Sequence, residues 1–109
     1  MEILNFEDDQ LKIILSKLIP EFNPVKIYLF GSRVNGNARP DSDYDLFLII
    51  KESKLSRHER MVQALRLLWG SKVRADIFIY TEDEFNDWKD EFSSIPHTVA
   101  TEGLELEIG

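Results

Sequence analysis

Three short runs of apolar residues predict three buried strands, at residues 25–30, 44–50 and 73–80. Residues that favour turns bound each run, and continuous apolar runs of this length are typical of strands that lie inside a sheet. Side chains alternate along a strand, so that residues two positions apart share a face. Asp43 and Asp45 are therefore expected on the same face, where the second predicted strand begins.

Apolar residues recur at helical spacing in two of the segments around these strands. Residues 7–19 predict an amphipathic helix that ends before Pro20, because proline interrupts the hydrogen bonds of a helix. Residues 56–69 predict a second helix, and Gly70 ends it.

A further pair of helices is predicted after the third strand. Thr81 and Glu84 have the spacing of a capping box. The helix that follows carries an apolar stripe made of Phe85, Trp88 and Phe92. Residues 93–103 predict a last short helix that ends at Gly103. The tail, residues 104–108, alternates apolar and acidic residues and is either a frayed end or an edge strand.

The order of these elements, α-β-β-α-β-α-α, predicts an α/β (α+β) fold in which helices pack on one face of a small sheet. The opposite face would then carry Asp43, Asp45 and Asp76. A length of 109 residues predicts one domain, residues 1–109, because this is close to the usual size of a domain.

The chain is acidic, with a formal net charge of -7. An acidic surface disfavours docking along nucleic acids, which depends on Lys and Arg, and it favours a basic protein partner. ATP is not excluded, since its phosphates arrive with magnesium.

The absence of cysteine excludes disulfides and thiolate nucleophiles. The acidic N-terminus is unlike a signal peptide and no apolar run reaches transmembrane length, so we expect a cytoplasmic protein with no membrane segment.

Polar residues at the ends of the predicted strands indicate phosphate chemistry. Gly31 allows a tight turn after the first strand, and Ser32 offers a hydroxyl and an N–H where a short helix could start. Asp43 and Asp45 are two neighbouring carboxylates, which are tolerable mainly when a divalent cation lies between them. Asp76 lies within the third strand, where a charge is costly unless it is paired or bound to metal. These parts predict a two-metal phosphoryl-transfer site.

Simpler interpretations of the same residues stay open. Asp-Ser-Asp is common in turns, where the carboxylates only cap the backbone. Asp76 could pair with Arg74, its neighbour on the same strand face. Arg33 could neutralise phosphate charge or be an exposed loop residue, and Arg39 has a weaker case of the same kind.

Four large aromatic residues have two possible roles, packing in the core or binding a partner. They fall at helical spacing and are therefore predicted to be core, although a subset exposed at the C-terminal end could instead anchor a partner. The residues concerned are Trp69, Phe85, Trp88 and Phe92.

The residues of the predicted site resemble the signature of a known family. The run from Leu29 to Arg33, the later Gly36 and the run from Asp41 to Leu46 are similar to the motif of the polymerase-β-like nucleotidyltransferases. More narrowly, they resemble the minimal nucleotidyltransferases, or MNT proteins. These proteins are usually encoded beside a helical HEPN partner, with which they form a toxin–antitoxin pair. The match departs from the family at Asn35, where a second arginine is common.

The resemblance implies a nucleotidyltransferase fold with a mixed sheet, and Mg-dependent transfer of AMP from ATP. The catalytic residues, which would also be the ligands of two Mg²⁺ ions, are Asp43, Asp45 and Asp76. The nucleotide-binding residues would be Gly31, Ser32 and Arg33. The acceptor would be a tyrosine of the HEPN toxin, and this chain would be the antitoxin. Two alternatives remain: a non-catalytic antitoxin that neutralises its partner by binding, and AMP transfer to a small molecule with a helical partner subunit.

Overall fold

The computed structural model describes residues 8–35 and 43–107, and the strands in these ranges form one mixed sheet. The strands are β1 (Lys26–Phe30), β2 (Tyr44–Ile50), β3 (Ala75–Thr81) and β4 (Leu104–Leu106). Their order across the sheet is β3-β2-β1-β4. β2 and β3 are parallel, whereas β1 is antiparallel to both β2 and β4. The predicted α+β class with a small mixed sheet is thus confirmed, and the tail proves to be an edge strand.

The helices of the described ranges lie between and after these strands. They are α1 (Asp9–Phe22), α2 (Ser32–Asn35), α3 (Arg57–Leu68), α4 (Glu82–Trp88) and α5 (Ile95–Glu102). Capping side chains define most of their starts, since Ser56, Thr81 and Ser94 each accept a hydrogen bond from the backbone three residues later. Within the described residues, no helix combines the length and apolar character needed to cross a membrane.

The larger core lies on the face of the sheet that α1 and α3 cover. Tyr44, Leu46, Leu48 and Ile50 alternate along β2 and are buried there. These residues pack against one apolar stripe from each of the two helices. The stripe of α1 consists of Leu11, Ile14, Leu15 and Leu18, and that of α3 consists of Ala64 and Leu68. The helical spacing seen in the sequence therefore produced the expected layer on this face.

The opposite face is also covered, which corrects the expectation that helices pack on one face only. Phe47 and Ile49 alternate with the residues above and form a second core with Val99 of α5. Phe85 of α4 meets Phe47 edge-on, with ring centroids 5.7 Å apart. The apolar residues of β2 project from both faces, so a single helical layer could bury only half of them. The end of this face that holds the carboxylates lies beyond the aromatic layer.

The first helix extends further than its sequence predicts. α1 continues through Pro20 to Phe22, whose side chain packs against the larger core. Asn23 then ends the helix in a left-handed conformation, with φ of 47°, and its N–H donates to the carbonyl of Ile19 at 2.8 Å. Burial of Phe22 and this cap offset the hydrogen bond that proline removes.

The aromatic residues divide between the two predicted roles. Phe85 packs in the second core. Phe92 and Trp69 are 86% and 88% exposed, and Trp88 is about half exposed. α4 ends at Trp88, so the predicted stripe does not continue to Phe92 as a helical face. The prediction that these residues are core is therefore wrong for Trp69 and Phe92.

Candidate functional site

Parallel pairing of β2 and β3 brings two of the predicted carboxylates side by side. Asp45 and Asp76 are register partners on these neighbouring strands. Adjacent strands lie about 4.8 Å apart, so the side chains of partners on one face are in contact range. Asp45 is partly buried, whereas Asp76 is exposed on the edge strand β3. The structure therefore joins two acids that lie far apart in the sequence.

A turn without a side chain makes room for Asp45. β1 ends at Phe30, the register partner of Asp45, and the chain turns at Gly31 with φ of +75°. A Cβ atom at Gly31 would overlap with Oδ2 of Asp45. The carbonyl of Gly31 accepts a hydrogen bond from the N–H of Val34 at 3.0 Å, which closes the turn into α2. Glycine is thus required here for its conformation and for the close approach of the carboxylate.

The surroundings of Asp45 disfavour its negative charge. Burial raises the pKa of this carboxyl, and the charges of Asp76 and Asp43 and a hydrogen bond with Asp76 raise it further. On the same face of the sheet, Phe30 contacts Phe78 with ring centroids 5.8 Å apart. A divalent cation would reverse this cost, because it would favour the ionised form of every carboxylate that contacts it.

Asp43 is held by a different neighbour. Its Oδ1 atom lies 3.0 Å from Nε of Arg74, which precedes β3. The backbone carbonyl of Arg74 accepts a hydrogen bond from the N–H of Tyr44 at 3.0 Å, so the two chain segments are tied together at this point. Arg74 was considered in the sequence as a partner of Asp76, and the ion pair that the structure contains is instead with Asp43.

The carboxylate oxygens suit a hard divalent cation, although the three acids do not surround one point in this structure. Asp45 and Asp76 offer oxygen ligands of the kind that Mg²⁺ prefers. Within residues 8–35 and 43–107, no group of three or more His, Cys, Asp or Glu side chains stands close enough together to hold a metal ion. The geometry thus supplies two adjacent carboxylates and a third, Asp43, that forms an ion pair with Arg74. These residues fit a magnesium site by the chemistry of their oxygen donors, and Asp45 and Asp76 are adjacent, while the predicted set of three metal ligands stays a prediction.

Arg33 has a partner that the sequence did not indicate. Its guanidinium lies over the ring of Tyr44, 4.1 Å from the centroid. The Tyr44 hydroxyl donates to the carboxylate of Asp8, with O–O distances of 2.7 and 2.6 Å. Burial and this bond to Asp8 raise the pKa of Tyr44 to about 12. Tyr44 and Asp45 point to opposite faces of β2, so this contact holds Arg33 on the side of α1. Its predicted contact with phosphate stays a prediction.

Other parts of the motif lie outside the described residues or are only partly described. Gly36, Arg39 and Asp41 belong to the segment 36–42 and are not among the described residues. Ser32 begins the one-turn helix α2, as the sequence predicts for a turn that leads into a short helix.

A buried arginine of α3, which contacts α4, was not predicted from the sequence. Arg60 is only 3% exposed, and its guanidinium donates to Glu84 at 2.7 Å and to the carbonyl of Ile79 at 3.0 Å. Burial alone would raise the pKa of Glu84, but the bonds from Arg60 and from the N–H of Thr81 lower it overall. The available signal was the position of Arg60, one turn before Ala64 on the buried stripe of α3.

Comparisons with known proteins agree with this arrangement. A family model described as "Polymerase beta, Nucleotidyltransferase" matches residues 10–81. The crystal structure of a mutant of the toxin–antitoxin MntA-HpeT is 21% identical, with a TM-score of 0.58, over 94% of this chain and 75% of that one. A putative nucleotidyltransferase from Sulfolobus solfataricus is 28% identical, with a TM-score of 0.50, over 74% of this chain and 78% of that one. No curated protein matches the chain.

Proposed function

The chain belongs to the polymerase beta nucleotidyltransferase family, and on that basis we propose that it transfers AMP from ATP to a protein hydroxyl. The acceptor that we propose is a tyrosine of a HEPN toxin, with this chain as the antitoxin of the pair. The observation that carries the proposal is the register pair of Asp45 and Asp76 beside the turn at Gly31. The toxin–antitoxin context is supported by the likeness to the MntA-HpeT structure.

The proposed metal ligands are Asp45, Asp76 and Asp43. Two Mg²⁺ ions bound there would activate the attacking hydroxyl and neutralise the charge of the leaving pyrophosphate. Carboxylates repel one another in the absence of metal, and binding of such ions would relieve this repulsion. Asp76 is exposed on the edge strand, so that an acceptor from another protein can approach it.

The turn at Gly31 and Ser32 is the proposed site for the phosphates of ATP. The lack of a side chain at Gly31 lets the backbone approach Asp45 closely, and a phosphate held at this turn would lie beside the carboxylates. Ser32 adds a hydroxyl donor at the start of α2. Positioning of this kind accounts for most of the catalysis of phosphoryl transfer, since the protein performs little covalent chemistry.

A non-catalytic antitoxin is a second candidate, favoured by exposed aromatic residues. Trp88 and Phe92 are exposed beside a run of acidic residues, Glu82, Asp83, Asp87, Asp90 and Glu91. Such a surface fits a basic partner that the chain could inhibit by binding alone. AMP transfer to a small molecule is a third candidate, which predicts turnover on a diffusible acceptor and no modified protein.

An intact-mass spectrum separates these functions. The protein encoded by the adjacent gene is incubated with this chain, ATP and Mg²⁺, and the same reaction is run with the double variant Asp43→Asn, Asp45→Asn. A second double variant, Glu52→Gln and Glu102→Gln, removes the same charge from exposed positions outside both the carboxylate site and the acidic run at residues 82–91, and serves as the matched control. We expect a mass gain of one or more AMP units with the native chain and the control, and none with the first variant.

Other results would favour the other candidates. A stable complex without a mass gain, unaffected by the Asp45 substitution, would support inhibition by binding. An unmodified partner together with AMP on a diffusible acceptor would support the small-molecule reaction. An unchanged mass gain in the Asp43→Asn, Asp45→Asn variant would contradict the proposed catalytic residues.

A further inference from the structure

We propose that Arg74 is a built-in counter-ion of the carboxylate site, which occupies Asp43 until a divalent cation displaces it. The inference rests on the metal site of the proposed function and assigns a role to a residue outside that site's predicted ligands. Arg74 is here a positioning residue, because it acts through Asp43 and not on the substrate.

The backbone places Arg74 beside Asp43 before any side chain is considered. The N–H of Tyr44 donates to the carbonyl of Arg74 at 3.0 Å, and Tyr44 directly follows Asp43. Parallel pairing then continues from Tyr44 with Ala75. The start of β2 and the start of β3 are therefore fixed together, and the ion pair of 3.0 Å between Nε of Arg74 and Oδ1 of Asp43 forms across this fixed junction.

The three acids differ in what neutralises them. Asp45 and Asp76 lie next to each other, and the nearby charges that raise the pKa of Asp45 are those of Asp76 and Asp43. Asp43 alone among the three forms an ion pair with Arg74 in the described part of the chain. A cation that gathers all three carboxylates must therefore compete with the guanidinium for Asp43.

The ion pair is weak enough to be displaced. The side chain of Arg74 is 72% exposed and that of Asp43 is 39% exposed, so water and salt screen the attraction. The contact between Nε of Arg74 and Oδ1 of Asp43 also lacks the alignment of a hydrogen bond. Ion pairs of this exposure correspond to a factor of about two to five in an equilibrium constant. Arg74 therefore lowers the affinity of the site for a cation without preventing cation binding.

Equilibrium binding of Mn²⁺, measured by the electron paramagnetic resonance signal of the free ion, tests this role without any turnover. The variant Arg74→Gln should bind Mn²⁺ about two- to fivefold more tightly than the native chain, because Asp43 is released. Lys72→Gln removes the same charge from an exposed residue of the same segment and is the matched control. We expect it to change the affinity much less than Arg74→Gln does.

A double-variant cycle then separates the effect of the ion pair on Mn²⁺ affinity from the effect of the protein's net charge. In the background of Asp43→Asn, the change Arg74→Gln should no longer tighten Mn²⁺ binding, since the carboxylate that it competes for is gone. An equal gain from Lys72→Gln, or a gain from Arg74→Gln that persists with Asn at this position, would overturn the proposal.

Failure of the proposed function has a different signature in the same experiment. Absence of Mn²⁺ binding in the native chain and in all variants would contradict the metal site and the counter-ion role together. Binding to the native chain that depends on Asp45 but does not change with Arg74→Gln would overturn the counter-ion role and leave the metal site supported.

Discussion

Two half-buried carboxylates of this protein have opposite electrostatic surroundings. Glu84, at the start of α4, accepts hydrogen bonds from the buried Arg60 and from the backbone of Thr81, and its pKa is lowered overall. Asp45, at the start of β2, lies partly buried near Asp76 and Asp43, and its pKa is raised. The first carboxylate is neutralised from within the fold, whereas the second is surrounded by charges of its own sign.

The difference indicates which region maintains the fold and which performs a function. A half-buried carboxylate with a buried arginine partner joins α3, β3 and α4, and its charge is neutralised within the protein. A carboxylate next to other carboxylates lowers the stability of the protein alone, and this cost fits the cation-binding role that we propose for it.

The largest effect is expected from Arg60→Met, which leaves Glu84 without its cation and the carbonyl of Ile79 without its donor. Breaking this pair from one side should lower the free energy of unfolding by about 2–3 kcal/mol, at or below the low end for fully buried pairs because the side chain of Glu84 is 31% exposed. Urea denaturation measures the loss. The double variant Arg60→Met, Glu84→Gln should lose less than the single variant, because no buried charge is left unpaired. A loss below about 1 kcal/mol in Arg60→Met would contradict the stabilising role given to this pair.

A smaller loss is expected from Gly31→Ala. The positive φ of Gly31 costs an alanine about 1–2 kcal/mol, and its Cβ would push against the carboxylate of Asp45. The variant should therefore be less stable in urea and should also bind Mn²⁺ more weakly. Gly70→Ala is the matched control, because that residue also has a positive φ but has open space where a Cβ would lie. Equal losses of Mn²⁺ affinity in both variants would show that contact with Asp45 is unimportant.

The smallest effect has the opposite sign. Asp45→Asn should raise the stability of the protein in EDTA by up to about 1 kcal/mol, since like charges opposite each other on neighbouring strands are destabilising. The raised pKa means that the native state binds a proton more readily than the unfolded chain does. The penalty of Asp45 is thus present above its raised pKa and is relieved as the pH falls toward the usual value of 3.8.

The pH dependence of Glu84 runs the other way. Its lowered pKa contributes stability that is present above the usual value of 4.5 and is lost as the pH falls through the lowered pKa. Urea midpoints measured in EDTA between about pH 4 and pH 7 should therefore fall less steeply with rising pH in Asp45→Asn than in the native chain. If the native chain and Asp45→Asn showed the same dependence of the urea midpoint on pH, the raised pKa assigned to Asp45 would be contradicted.

Sequence patterns were sufficient for the elements that local physics determines. The apolar runs located β1, β2 and β3, and the capping box at Thr81 located the start of α4. The resemblance at the turn of Gly31 and at Asp43 to Asp45 is confirmed at the level of the family by the match over residues 10–81. Alternation along one strand is a local property, so it could be inferred without the fold.

Contacts between distant segments were not predictable in the same way. The pair of Arg74 with Asp43, rather than with Asp76, depends on the parallel register of β2 and β3. The helical spacing of α4 indicates an apolar stripe but not the face of the sheet on which it packs. Arg60 lay on a buried stripe, but its partners Glu84 and Ile79 come from later elements.

The most direct test of the comparison is the change in the thermal unfolding midpoint on adding Mg²⁺. Measured at neutral pH, Mg²⁺ should raise the midpoint of the native chain and of Glu84→Gln, because a ligand that binds only the folded state stabilises it. It should leave the midpoint of Asp45→Asn unchanged. An equal rise in all three proteins, or none in the native chain, would contradict the claim that the carboxylates at the start of β2 and β3 form a divalent-cation site.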